Sequence, residues 1–228
     1  MVIASAWSLP YHPGARLSGG PAWIRSDDGI YDIDARAEKG AIPDSLPSNV
    51  RADSMRPMLQ KLLTDRFHLV VHHETKEMPI YAVTIAKGGL KLAKADIEEK
   101  DCPASANLNL LPGDPVLECH MFAGGRGRGL HARAANMADL VRAVEAFADR
   151  PVIDQTGLQG LYRFETSGWL RLDAGPAPAP GTKSEDGTDL ADLPSIFQIF
   201  EAMGLKLEAR TGKADVIVID HIERPTEN

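Results

Sequence analysis

Hydrophobic positions recur along the chain in one order: a run at helical spacing, then a β-branched run. In SMRPMLQKLLTD, residues 54–65, Met55, Met58, Leu59, Leu62 and Leu63 fall three and four apart and predict a helix with one apolar face. RFHLVVHHETKE follows and predicts a strand, Met78-Pro79 predicts a turn, and IYAVTIAKGG predicts a second strand. The order returns at residues 137–149, where Leu140, Val141, Val144 and Phe147 share a helical face ahead of RPVIDQTGL, a Gly-containing turn and GLYRFETSGW. PSIFQIFEAM, residues 194–203, opens another round and GLKLEARTGKADVIVIDHIERP completes it. An incomplete copy starts the chain: Met1 to Ser8 read as a helix end, and ARLSGGPAWI and IYDIDARAE as two strand regions.

This recurrence predicts an α+β fold of repeated helix–β-hairpin units, with antiparallel sheet or sheets and helices packed on one face. Residues 1–95 hold a first pair of units, 96–130 a Cys-containing loop insertion, and 131–228 a second pair. The Ala-Pro and Gly-Ser-Asp content of RLDAGPAPAPGTKSEDGTDLADLP marks 171–194 as a flexible linker within that second pair.

The strand assignment decides what His68, His72 and His73 can do. On a helix, His68 and His72 would share a face and could share a metal, with Glu77 nearby. On a strand rising about 3.3 Å per residue they stand about 13 Å apart and His73 points to the opposite face. Solvent-facing histidines are then the simpler expectation, any one of them free to give a single ligand or base to a site completed elsewhere.

Charge and cysteine content narrow the partners. A formal net charge of -7 over 228 residues argues against nucleic acid, and the Arg126, Arg128, Arg133 run is too short and Gly-rich to reverse that. No apolar run reaches membrane-spanning length, and the start, MVIASAWSLPYHPG, lacks an export signal. Cys102 and Cys119 flank a segment rich in Pro, Asn and Gly; a disulfide there would staple a poorly structured loop in an oxidising compartment. A catalytic thiol is disfavoured, because the acidic run before Cys102 raises a thiol pKa.

Three polar groups offer candidate chemistry, each beside a plainer reading. Asp27, Asp28, Asp32 and Asp34 lie close in SDDGIYDIDAR; on a strand Asp32 and Asp34 share a face about 7 Å apart, suiting a hard cation such as Ca²⁺ or simply a solvated strand face. The tract SEDGTDLADLP reads as acidic linker. On the alternating strand VIVIDHIERP, His221 and Glu223 share a face, as a general base held by a carboxylate or as a salt-bridged edge. No G-x-S-x-G, H-E-x-x-H, metallo-β-lactamase histidine cluster, G-x-G-x-x-G after a strand, or Walker loop is present.

Four blocks in order, SGGPAWIRSDDGIYDIDARAE, MRPMLQKLLTDRFHLVVHHETKEMPIYAVTIAKGGLKL, RPVIDQTGLQGLYRFE and GLKLEARTGKADVIVIDHIERPTEN, resemble the soil-bacterial family known as domain of unknown function 3738, abundant in acidobacteria of the Solibacter type. The resemblance runs from about Leu17 to Asn228 and implies a member shortened at its N-terminus, exported in its longer form. It links the chain to hydrolysis of N-acylhomoserine lactones, which is quorum quenching, with calcium as a requirement. Other members resemble extracytoplasmic parts of membrane signalling proteins, which implies a non-enzymatic module for an envelope ligand or protein. His72, Glu74, Asp154, Gly157, Gly160, Tyr162, Asp220, His221 and Glu223 fall in the family's recurrent blocks, whereas His68 and His73 stand where it often has Lys or Arg. The candidate catalytic set is therefore His221, Glu223, His72 and Asp154, and the candidate metal set Asp27, Asp28, Asp32 and Asp34.

Overall fold

Leu59, Leu62, Leu63 and Phe67 recur at helical spacing, and they form the packed side of α2 (Ser48–Phe67). Met55 and Met58, in the same sequence pattern, face solvent. The computed structural model describes residues 2–10, 14–26, 30–43, 48–102, 119–125, 127–169 and 193–225, with isolated positions between 179 and 190. Most of the expected 171–194 linker, and Asp27 and Asp28, lie outside the described residues.

The protein is α+β. Its helices are α1 (Val2–Ala6), α2, α3 (Met137–Glu145) and α4 (Ile196–Ala202). Its strands are β1 (Leu17–Gly19), β2 (Val70–Ile85), β3 (Ala123–Gly125), β4 (Gly129–Ala135), β5 (Val152–Asp154), β6 (Tyr162–Glu165) and β7 (Leu205–His221). One sheet has the order β1-β7-β2-β5 and the other, antiparallel, the order β3-β4-β6. Helix precedes strand four times, and the long strands β2 and β7 each take a short parallel partner: Tyr81 to Val83 pair with β5, and Ile217 to Ile219 with β1.

Two compact units divide the chain, Met1–Met78 with Lys213–Asn228, and Pro79–Gly212. In the first, Ile3, Ala4 and Ala6 of α1 pack with Leu63 and Phe67 of α2 and with Ile217 and Ile219 of β7. In the second, Trp169, Phe164, Phe200, Leu140 and Val144 close a core between α3, α4 and the strands. Capping boxes start both helices there: Asn136 accepts from the Asp139 N–H at 2.9 Å, and Ser195 from the Gln198 N–H at 3.3 Å.

The expected hairpins are replaced by long strands. No turn forms at Met78-Pro79: Pro79 lies inside β2, just ahead of the Tyr81–Val83 segment that β5 pairs. Gly212 likewise lies inside β7, where a Cβ would meet Ile80 Cδ1 at 2.5 Å. Pro79, read as part of a turn, and Gly212 are the points where strands pass from one unit to the other. The segments VIDQ and LYRFE do not pair with each other; β5 joins β2 and β6 joins β4. IYDIDARAE carries no regular strand.

Candidate functional site

The first unit holds an open groove of about 820 Å³, within the range of small-molecule sites. Its apolar lining is Tyr31, Ile33, Leu62, Phe67 and Pro225, and its polar rim includes Asp32, Asp34, Asp65, Arg66, His68 and Glu223. Aromatic contacts stiffen one side: Tyr31 meets Phe67 edge-on at 5.4 Å and Trp23 at 6.3 Å, and the Arg224 guanidinium stands 5.1 Å from the Trp23 ring centre. The Glu223 N–H donates to the Phe67 carbonyl at 2.7 Å, which seats the end of the chain beside α2.

This groove brings together Asp32, Asp34 and Glu223, three of the candidate residues. Asp34 is highly exposed and lies 3.6 Å from the Arg36 guanidinium. Asp32 and Asp34 do not share a strand face, since residues 30–38 lack regular structure, and no third described donor gathers with them at metal-ligand spacing. His221 is tied to this rim through Glu223, whose carboxylate lies 2.8 Å from its Nε2.

The histidines of the opening helix–strand block divide by position. His68 adopts φ 48° just past α2, a left-handed conformation that ends the helix. His72 stands exposed on β2 with Nδ1 2.8 Å from Asp220 and Nε2 2.9 Å from Glu74. Its pKa is raised, first by the hydrogen bond to Glu74 and then by that to Asp220; the Glu74 pKa is lowered, by Lys76 and then by His72. Both ring nitrogens are thus engaged by carboxylates, which suits an imidazolium better than a free base. Asp154 accepts from the Thr156 N–H at 2.9 Å and hydroxyl at 2.8 Å, which closes a turn after β5. The catalytic set is therefore distributed: Glu223 on the groove, His221 beside it, His72 in a carboxylate pair across β2 and β7, and Asp154 in a turn of the second unit.

A constellation that the sequence reading passed over lies in the second unit. His120 is nearly buried, with Nδ1 2.7 Å from Asp139 Oδ2 and Nε2 2.7 Å from Glu99 Oε1. Its pKa is raised, chiefly by the hydrogen bond to Asp139 against the cost of burial. Asp139 Oδ2 also accepts the Asn136 N–H at 3.0 Å, so one carboxylate caps α3 and holds His120. The cap was readable as N-x-x-D ahead of an apolar run; the histidine, 16 positions before that Asn, was not. Next to His120, Cys102 and Cys119 form a disulfide with Cα atoms 5.7 Å apart.

The fold and its sites define an α+β protein with an open, mixed-charge groove and a disulfide-bonded loop. The chain belongs to the family described as Protein of unknown function (DUF3738), whose pattern matches residues 1–222. No curated protein and no solved structure matches it.

Proposed function

We propose that this protein is an extracytoplasmic binding module that takes a small amphipathic molecule, such as an acyl lactone, into the groove of its first unit. The observation that carries this reading is the groove itself: Tyr31, Ile33, Leu62 and Phe67 offer an apolar wall to a chain, while Asp32, Asp34 and Glu223 stand at its rim for a polar head. Binding ranks above catalysis because the groove is open and His72 has both nitrogens occupied. The Cys102–Cys119 bond supports work outside a reducing cytoplasm. Among the described residues no helix is long and apolar enough to cross a membrane.

A second reading, hydrolytic opening of an N-acylhomoserine lactone, draws support from the His221–Glu223 pair. Glu223 orients Nε2, and Nδ1 has no protein partner among the described residues, which leaves it able to take a proton from water. Asp32 and Asp34 supply oxygens of the kind Ca²⁺ takes. Calorimetric titration of a long-chain N-acylhomoserine lactone, with mass spectrometry of the mixture, tests both readings. Saturable binding that Ile33→Asp removes, with the ring intact, supports the module. Ring opening that chelation and His221→Ala both abolish in folded protein moves the assignment to a lactonase. Neither binding nor turnover sinks both.

A further inference from the structure

We propose that Glu99, Cys102, Cys119 and His120 form a zinc site that becomes available when the Cys102–Cys119 disulfide is reduced. Donor atoms of Glu99, Cys102 and His120 already lie within 4.8 Å of one another, and the Cys119 sulfur joins them through its bond to Cys102. Two thiolates and one imidazole are donors of the soft and borderline kind that tetrahedral Zn²⁺ takes, and a carboxylate oxygen is a fourth ligand it also accepts. In sequence they form two short pairs, Glu99-x-x-Cys102 and Cys119-His120, so each pair brings two donors into the site from one short stretch of chain.

The histidine is prepared for that role. His120, next to Cys119 in the chain, has a left-handed backbone, φ 59°, and its ring is held by Asp139 at 2.7 Å. Asp139 is buried and is itself fixed by the Asn136 N–H at the start of α3. A carboxylate on Nδ1 turns the other nitrogen toward a metal, the arrangement that supports most zinc-bound histidines. In the oxidised protein Nε2 faces Glu99 Oε1 at 2.7 Å, so a proton bridges the two groups that Zn²⁺ would bridge after reduction. The Glu99 side chain is largely exposed and free to adjust around the ion.

The chemistry balances. A small dithiol gives two electrons and two protons to the Cys102–Cys119 bond, becomes a cyclic disulfide and leaves two protein thiols. Zn²⁺ then displaces both thiol protons, and the proton on His120 Nε2 where the ring is charged, so binding strengthens as pH rises. In the oxidised protein the disulfide joins Cys102 to Cys119, and in a thiol-rich setting the metal takes its place.

Cobalt(II) titration of the full chain, oxidised and phosphine-reduced under anaerobic conditions, tests this. The reduced protein is expected to bind one equivalent with thiolate-to-cobalt charge-transfer absorption and tetrahedral visible bands, displaced by Zn²⁺, and the oxidised protein to show neither. Glu99→Gln, at an exposed position, and His120→Ala should each weaken binding at least tenfold. Absence of the charge-transfer band in reduced, folded protein overturns the proposal. So does wild-type affinity in both variants, which would mean thiols alone bind, and so does unfolding on reduction that Zn²⁺ fails to reverse.

Discussion

At the scale of single residues, carboxylates stand on both sides of two imidazoles, His72 and His120, and raise the pKa of each. His120 is the buried example, faced by Glu99 and Asp139, with Arg142 3.9 Å from Asp139. Its pKa is raised above the ordinary 6.5, so its contribution to stability is fully present below about that pH. That contribution fades as pH rises through the higher folded value. Thermal melts of the wild type and His120→Gln should therefore differ most below pH 6.5 and converge in the alkaline range. A difference that is flat with pH would show that the ring stabilises by packing alone.

At the scale of elements, caps and strand breakers divide into those that act locally and those that answer to tertiary structure. Asn136 is of the first kind: its side chain takes the Asp139 N–H at 2.9 Å, and losing it should cost about 1 kcal/mol in Asn136→Ala, read by denaturant titration. An unchanged midpoint would mean that Asp139 holds the helix start unaided. Pro79 and Gly212 are of the second kind. Local reading makes Met78-Pro79 a turn, yet Pro79 lies inside β2, ahead of the residues that β5 pairs, and Gly212 lies inside β7, where it makes room for Ile80. The helices of the described residues were legible because the periodicity of each is carried by residues that pack inside one unit, and the β-branched runs after α2 and α4 because their apolar residues enter a core. The sheet order was not, since β5 and β6, neighbours in sequence, part to different sheets.

The site was legible in the same uneven way. Asp32, Asp34 and Glu223 were singled out from separate segments and do share a groove, whereas the strand expected to align the two aspartates is missing. Asp154 was a candidate through the family resemblance of the block RPVIDQTGLQGLYRFE, and in the structure its carboxylate closes a turn. His120 escaped because its partners, Glu99 and Asp139, lie 21 and 19 positions away on opposite sides and meet only in three dimensions.

On the scale of the whole molecule, one covalent bond and one groove underlie the proposed function. The Cys102–Cys119 bond closes a loop of 17 positions, and its loss in a Cys102→Ala, Cys119→Ala double variant should lower unfolding free energy by about 3 kcal/mol. Urea titration reads this directly, and a change within error would mean that the loop is constrained by packing instead. The groove carries the functional account. The most direct measurement is a chemical-shift titration of isotope-labelled protein with a long-chain N-acylhomoserine lactone, in wild type and Ile33→Asp. The account predicts saturable shifts clustered on Tyr31, Ile33, Leu62 and Phe67 that vanish in the variant. Shifts that are absent, or scattered with no response to Ile33→Asp, would contradict it.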